Sequence, residues 1–322
     1  MTDRKPLIVF LDRKTLADDI RLGTPDFPHE MKVYDATSPD EAASRITDAD
    51  IVITNKTPLT ADALAGAGNL RFVAVAATGY DVVDVEACRK RNIAVSNIRN
   101  YAVHTVPEHA FALIFALRRS VLQYRSSVAR GDWIRANQFS YFDFPIHDLA
   151  GATLGIIGEG SIGQAVAQIG RALGMKPLFS AYKGVSGMGP LYTPFDEVIR
   201  HSDIITLHAP LTPSTRNMIS HAEFAMMERK PLIINTARGG LVDEEALAEA
   251  LEAGTISGAG FDVATIEPPP ADHIMMKLLK HDNFILTPHV AWSSREAIQG
   301  LADQLIENID LFWRGTPRNL VT

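Results

Sequence analysis

Residues 153–174 read TLGIIGEGSIGQAVAQIGRALG. The apolar run TLGIIG (153–158) fits a buried strand, and SIGQAVAQIGRALG, apolar at helical spacing, fits the helix that follows. Between them Gly158-Glu-Gly160-Ser161-Ile162-Gly163 carries the spacing G-x-G-x-x-G. In that setting the first glycine permits a tight turn, the second lets backbone approach a pyrophosphate, and the third lets helix pack on strand. The helix start adds free N–H groups and the positive end of its dipole. A plain βα turn also uses glycine, so the flanking strand and helix give the motif its weight. The expected ligand is a nicotinamide dinucleotide. Its adenosine ribose is normally held by an acid at the end of the next strand, here KPLFSAY (176–182). That position is Ala181, followed by Tyr182 and Lys183. Without a carboxylate a 2′-phosphate is not repelled, and Lys183 is placed to pair with one. NADP is therefore expected in slight preference to NAD. The alternative is a solvated lysine, with the ribose held by backbone groups.

Outward from the loop, the chain alternates strands and helices in both directions. Upstream, LIVFLD (7–12), MKVYDA (31–36), DIVITN (50–55), RFVAVAAT (71–78) and IAVSN (93–97) read as strands, with helical stretches between them. No glycine-rich loop follows any of these. Pro107 to Tyr124 reads as one long helix with apolar residues on more than one face, hence buried. Downstream, IITLHAP, LIINTA, GAGFDV and FILTP are further strands, and a last helix follows Trp292. The expected fold class is α/β, two Rossmann-like parallel-sheet domains with the active site in the cleft between them. The final helix has no sheet of its own and is assigned to the first unit. The expected domains are 1–100 plus 292–322, discontinuous and substrate-binding, and 101–291, dinucleotide-binding.

Composition narrows the partners. The chain has 322 residues, 46% hydrophobic and 21% charged, with a net charge of −7. No basic surplus exists to neutralise a nucleic acid or an anionic membrane. Cys88 is the only cysteine, which excludes an internal disulfide and suits a reducing compartment. The N-terminal segment has no signal-like apolar core, and the densest apolar run, Ala110 to Leu117, falls far short of the roughly 20 residues of a spanning helix. A cytoplasmic location is expected. The histidines show no metal-ligand spacing, so no metal is expected.

Three strand-end segments after the loop each carry one reactive side chain: Arg238 in NTARGG, Glu267 in DVATIEP, and His289 in TPHVAW. In open α/β sheets ligands bind at the carboxyl ends of the strands, where these three can converge. A 2-oxo acid presents a carboxylate beside a carbonyl, which a planar guanidinium matches with directed donors. Hydride arriving at the carbonyl carbon leaves charge on oxygen, and histidine is the natural proton donor near neutral pH. A carboxylate beside the imidazole stabilises its protonated form. Taken singly, Arg238 reads equally as a turn residue, Glu267 as a solvated loop acid, and His289 as a satisfied buried imidazole.

With these motifs in hand, the sequence resembles the D-isomer-specific 2-hydroxyacid dehydrogenases over essentially its whole length. The matching stretches are LGIIGEGSIGQAVA, ITLHAPLTPSTRNMI, INTARGGLVDEEAL, GAGFDVATIEPP and TPHVAW, with VAATGYDVVD and VPEHAFALIFAL upstream. The resemblance implies that Arg238, Glu267 and His289 are the catalytic set. It places a substrate carboxylate on the N–H groups of Thr78 and Gly79, with Arg238 and His289 also at the substrate. Ser161 and Ile162 fall at the pyrophosphate, and Ala209, Thr236, Ala237 and Arg238 at other cofactor contacts. Asp262 falls at the nicotinamide amide. It further implies a homodimer. Within the family, FSYFDFPIHDLAG and HVAWSSREA look most like glycerate dehydrogenases, also called hydroxypyruvate reductases. The expected reaction is reduction of hydroxypyruvate or glyoxylate to D-glycerate or glycolate. The alternatives are a phosphoglycerate dehydrogenase-like enzyme and a non-catalytic NAD(H)-sensing corepressor, for which no regulatory module is visible.

Overall fold

The computed structural model describes residues 4–321 and resolves two compact units, one running to Ala102 and resuming at Ser293, the other Val103–Trp292. The first contains β1 (Leu7–Phe10), β2 (Glu30–Val33), α1 (Pro39–Ile46), β3 (Ile51–Thr54), α2 (Ala61–Ala65), β4 (Phe72–Val75), α3 (Val85–Lys90) and β5 (Ala94–Ser96). All pair in parallel in the order β2-β1-β3-β4-β5. The unbroken apolar runs of β1, β3 and β4 are buried along their whole length, because helices cover both faces of such a sheet. β2 has one neighbour, is mostly exposed, and ends at Val33 rather than at Ala36.

The chain direction reverses between β1 and β3, where an open parallel sheet offers its ligand crevice. Here the crevice is filled from within. Asp12, 4% exposed, accepts the backbone N–H groups of Asn55, Lys56 and Thr57 at 3.0, 2.7 and 2.8 Å and the Thr57 hydroxyl at 3.1 Å. A protein carboxylate thus takes the donors that a ligand anion would use, which accords with the missing glycine loop.

The second unit holds α4 (Thr105–Arg118), α5 (Val121–Ala129), α6 (Asp132–Ala136), β6 (Thr153–Ile157), α7 (Ser161–Ala172), β7 (Lys176–Ser180), β8 (Tyr192–Thr193), α8 (Phe195–His201), β9 (Ile204–Leu207), α9 (His221–Met226), β10 (Leu232–Asn235), α10 (Glu244–Glu252), β11 (Gly258–Phe261), α11 (Ile274–Lys277) and β12 (Phe284–Leu286). Its seven strands are parallel in the order β12-β11-β10-β9-β6-β7-β8, so the reversal lies between β6 and β9. The single helix expected over Pro107–Tyr124 is two. Ser120 breaks it at φ +49°, a left-handed conformation, and its buried hydroxyl donates to the Pro145 carbonyl at 2.5 Å. An apolar pattern does not reveal such a break, since both halves carry buried faces.

The chain then returns to the first unit as α12 (Arg295–Trp313). Phe312 stacks on Phe72 of β4 with ring centroids 4.2 Å apart, and buried Asn308 donates to the Asn97 carbonyl. Among the described residues no helix is long and apolar enough to cross a membrane.

Asp12→Ala should lower the stability of the first unit by about 2–3 kcal/mol, because three buried N–H groups lose a charged acceptor. A fall in the urea midpoint of that unit's transition measures it. An unchanged midpoint would show that the crevice does not need the carboxylate.

Candidate active site

The loop after β6 has the shape its glycines require. Gly158 sits at φ +109°, and a Cβ there would lie 2.5 Å from the His208 carbonyl oxygen. A Cβ on Gly163 would lie 2.0 Å from the Gly158 carbonyl oxygen, so α7 packs against the turn only without one. Beside Gly160 a Cβ would meet nothing within 4 Å. That leaves open space over the start of α7, where Ser161 and Ile162 form the first turn and where folds of this kind accept a pyrophosphate. Gly160, the N-cap, supplies no side chain to the helix N–H groups. Nearby, at the ends of β9 and β10, two buried polar atoms lack a partner among the described residues: Nδ1 of His208 and Oγ1 of Thr236. Ala209 and Ala237, the adjoining expected contacts, are partly buried. An uncapped helix, an open cradle and orphaned polar atoms fit a dinucleotide.

Lys183 does not stand as the sequence implies. Its Nζ pairs with the buried carboxylate of Glu223 at 2.7 Å and donates to the Met218 carbonyl at 2.9 Å. A 2′-phosphate would have to displace a carboxylate that is itself only 5% exposed. The argument for NADP that rested on a free Lys183 therefore fails. Ala181 is buried and carries no group for the ribose.

Of the three reactive residues, the structure joins two directly. His289 Nδ1 lies 2.6 Å from Glu267 Oε2, and Glu267 Oε1 accepts the Ala264 N–H at 3.1 Å. A carboxylate only accepts, so Nδ1 carries the proton and Nε2 is left for exchange. Among the described residues Arg238 makes no hydrogen bond or ion pair with His289. It follows β10, beside the β11 end that leads to Glu267, and its Nη1 donates to the Ala237 carbonyl. The buried side chain of Asn235 builds that turn, accepting the Ala237 N–H at 3.1 Å and donating to the Arg238 carbonyl at 2.8 Å. Gly239 then brings two loops together, for a Cβ there would lie 2.1 Å from the Ala264 carbonyl carbon.

Three further residues set the geometry. Asp262, fully buried, accepts the Thr287 hydroxyl at 2.5 Å and the N–H groups of Val290 and Ala291 at 2.9 and 2.7 Å. His109 Nε2 joins this network through Thr287 at 3.0 Å. His289, between these anchors, adopts φ +54°, and its carbonyl accepts from Trp292 Nε1 at 2.9 Å. Such strain persists only where the surroundings over-determine it. Asp262 thus grips the histidine loop. Glu244, also buried, accepts the N–H and hydroxyl of Thr265, both at 2.7 Å, and fixes the glutamate loop. In sequence Glu244 is a helix-start acid, and Asn235 merely ends an apolar strand, so the local pattern gives neither a link to the site.

Thr78 and Gly79 lie in the first unit. The Thr78 hydroxyl donates to the Ile98 carbonyl and Asn97 Nδ2 to the Thr78 carbonyl, each at 2.8 Å. Among the described residues nothing engages the N–H of Thr78 or Gly79, as an anion-binding turn requires.

The profile of the D-isomer specific 2-hydroxyacid dehydrogenase NAD binding domain matches residues 111–291. A glycerate dehydrogenase of Methylorubrum extorquens is 50% identical over 315 residues, 98% of each chain. The D-lactate dehydrogenase of Aquifex aeolicus, solved with NAD and lactic acid, superposes with a TM-score of 0.79 at 28% identity, covering 96% of both chains. An acyclic imino acid reductase, solved with NADPH and D-Arg, gives 0.82 at 28% identity, covering 98% of this chain and 100% of that one.

Burial pushes the His208 imidazole down from 6.5 to about 4. The folded chain refuses a proton that the unfolded chain accepts between those values. Stability should therefore fall as pH drops from about 6.5 to 4, by up to about 3 kcal/mol, and level off below. His208→Gln should flatten that part of the urea-midpoint profile. A profile unchanged by the substitution would place the pH dependence elsewhere.

Proposed function

We propose that this chain, which belongs to the D-isomer-specific 2-hydroxyacid dehydrogenase family, reduces hydroxypyruvate or glyoxylate to the D-2-hydroxy acid with a nicotinamide dinucleotide. The observation that carries the reading is the Glu267–His289 pair at 2.6 Å on a clamped loop. The 50% identity to a glycerate dehydrogenase supports the choice of substrate. The second unit would serve the cofactor and the first the substrate carboxylate. The loop Gly158–Gly163 would hold the dinucleotide, which when bound would supply the hydride.

The chain's own residues do the rest. Glu267 holds Nδ1–H and stabilises the imidazolium, so that Nε2 carries the proton destined for the carbonyl oxygen. The Arg238 guanidinium, fixed by the Asn235 turn, binds the carboxylate–carbonyl edge of the substrate with directed donors. In the oxidative direction Nε2 accepts the hydroxyl proton, and the same pair runs in reverse.

His289→Asn should reduce turnover about 100- to 10,000-fold, the range of general acid–base help, while NADH affinity stays within a few-fold. Loss of nicotinamide absorbance with hydroxypyruvate, glyoxylate and pyruvate measures it. Near-normal turnover in the variant would remove His289 from its role. Dinucleotide binding by the parent chain without turnover of any oxo acid would favour a sensor.

A homodimer is the second part of the proposal. Ile134, Phe139 and Phe142 are 85%, 92% and 86% exposed around α6 and the loop after it, a run of large apolar side chains that a second copy of the chain would cover. Sedimentation should give twice the chain mass, and Phe139→Asp with Phe142→Asp should shift it to one. A parent chain that sediments as a monomer would refute this.

A further inference from the structure

The acid missing from the end of β7 has a spatial counterpart in the glycine loop. Glu159 stands between Gly158 and Gly160, and its Oε1 accepts the Tyr182 hydroxyl at 2.9 Å. β6 and β7 are neighbours in the sheet, with Ile156 opposite Phe179, so this bond spans the loops that leave their two carboxyl ends. The carboxylate consequently lies over the end of the strand that terminates at Ser180-Ala181. Tyr192 of β8, paired with Phe179, is close enough that burial and then the Glu159 charge raise its phenol above the ordinary range. The hydrogen bond to Glu159, followed by its charge, does the same for Tyr182. Tyr182 takes one lone pair of Oε1 and Tyr192 lies within hydrogen-bonding reach of the same carboxylate, whose two oxygens keep lone pairs for a further donor. The space beside Gly160 is open.

In dinucleotide folds the pyrophosphate lies over the first glycine loop and the adenosine ribose leans toward the end of the next strand. Resting on the nicotinamide reading above, we infer that Glu159, positioned by Tyr182, replaces the missing ribose acid and selects NAD(H) over NADP(H). The carboxylate accepts a hydrogen bond from a free ribose hydroxyl and repels a 2′-phosphate. Lys183, the nearby cation that would offset that repulsion, is neutralised by Glu223. Specificity that other dehydrogenases place at a strand end is here supplied by the variable residue of the glycine motif.

The test is direct titration with NADH and with NADPH, following nicotinamide fluorescence without substrate, for the parent chain, Glu159→Gln and Tyr182→Phe. The parent should bind NADH more tightly. Glu159→Gln should narrow the NADH-to-NADPH affinity ratio by about ten- to a hundredfold, the range of a charge-assisted hydrogen bond, chiefly by gaining NADPH. Tyr182→Phe leaves the charge in place but unanchored, so it should narrow the ratio less, and it provides a second reading if the first variant folds poorly. A parent chain that prefers NADPH overturns the inference, as does a ratio unmoved by both substitutions. Failure of the parent to bind either dinucleotide is a different result, for it overturns the cofactor reading itself.

Discussion

The grip of one buried carboxylate on one short loop sets the geometry on which the proposed chemistry depends. Asp262, at the end of β11, receives the N–H groups of Val290 and Ala291 and the hydroxyl of Thr287. These bonds bracket His289 and hold its backbone at φ +54°. A left-handed conformation disfavoured for a side-chain-bearing residue is thereby kept, and with it the 2.6 Å contact to Glu267. Glu267 is fixed in turn because Glu244 holds Thr265 and Gly239 admits the backbone of Ala264 and Thr265. Glu267 and His289 are partly exposed, while the acids that position their loops, Asp262 and Glu244, are buried. Buried acids are tolerable there because each has N–H or O–H donors to satisfy it.

The two units make opposite use of one architectural opportunity. Both are parallel sheets whose strand order reverses next to their first strand, and that reversal leaves unpaired N–H groups facing a crevice. In the first unit Asp12 consumes those donors. In the second, glycines at 158, 160 and 163 keep side chains out of the crevice, leaving an uncapped helix start and open space. Similar topology therefore yields a self-satisfied crevice in one case and an anion cradle in the other. The difference is a carboxylate against a missing Cβ.

The charge pattern around the cradle was the least legible part of the sequence. Lys183 adjoins the ribose position along the chain, which made it look available to a phosphate. Its partner Glu223 lies 40 positions downstream in α9, and nothing in the local sequence signals the pairing. Glu159 was visible as the variable residue of the motif, yet only its contact with Tyr182 shows that it reaches the neighbouring strand end. Ser120 is similar: an ordinary polar residue in an apolar stretch that divides a helix because the Pro145 carbonyl lies within reach.

The sequence by itself determined the parallel α/β class and the place of the glycine loop, and it marked three reactive side chains at strand ends. Each is written in local pattern: unbroken apolar strands, fixed glycine spacing, and polar residues at strand ends. Tertiary structure decided which of those groups are partnered. It joined His289 to Glu267, set Arg238 against the Ala237 carbonyl, neutralised Lys183 and turned Asp262 into a clamp. Hydrogen bonds and ion pairs form between residues tens of positions apart. Their existence depends on distances of about 3 Å that only the packed sheet and its loops define.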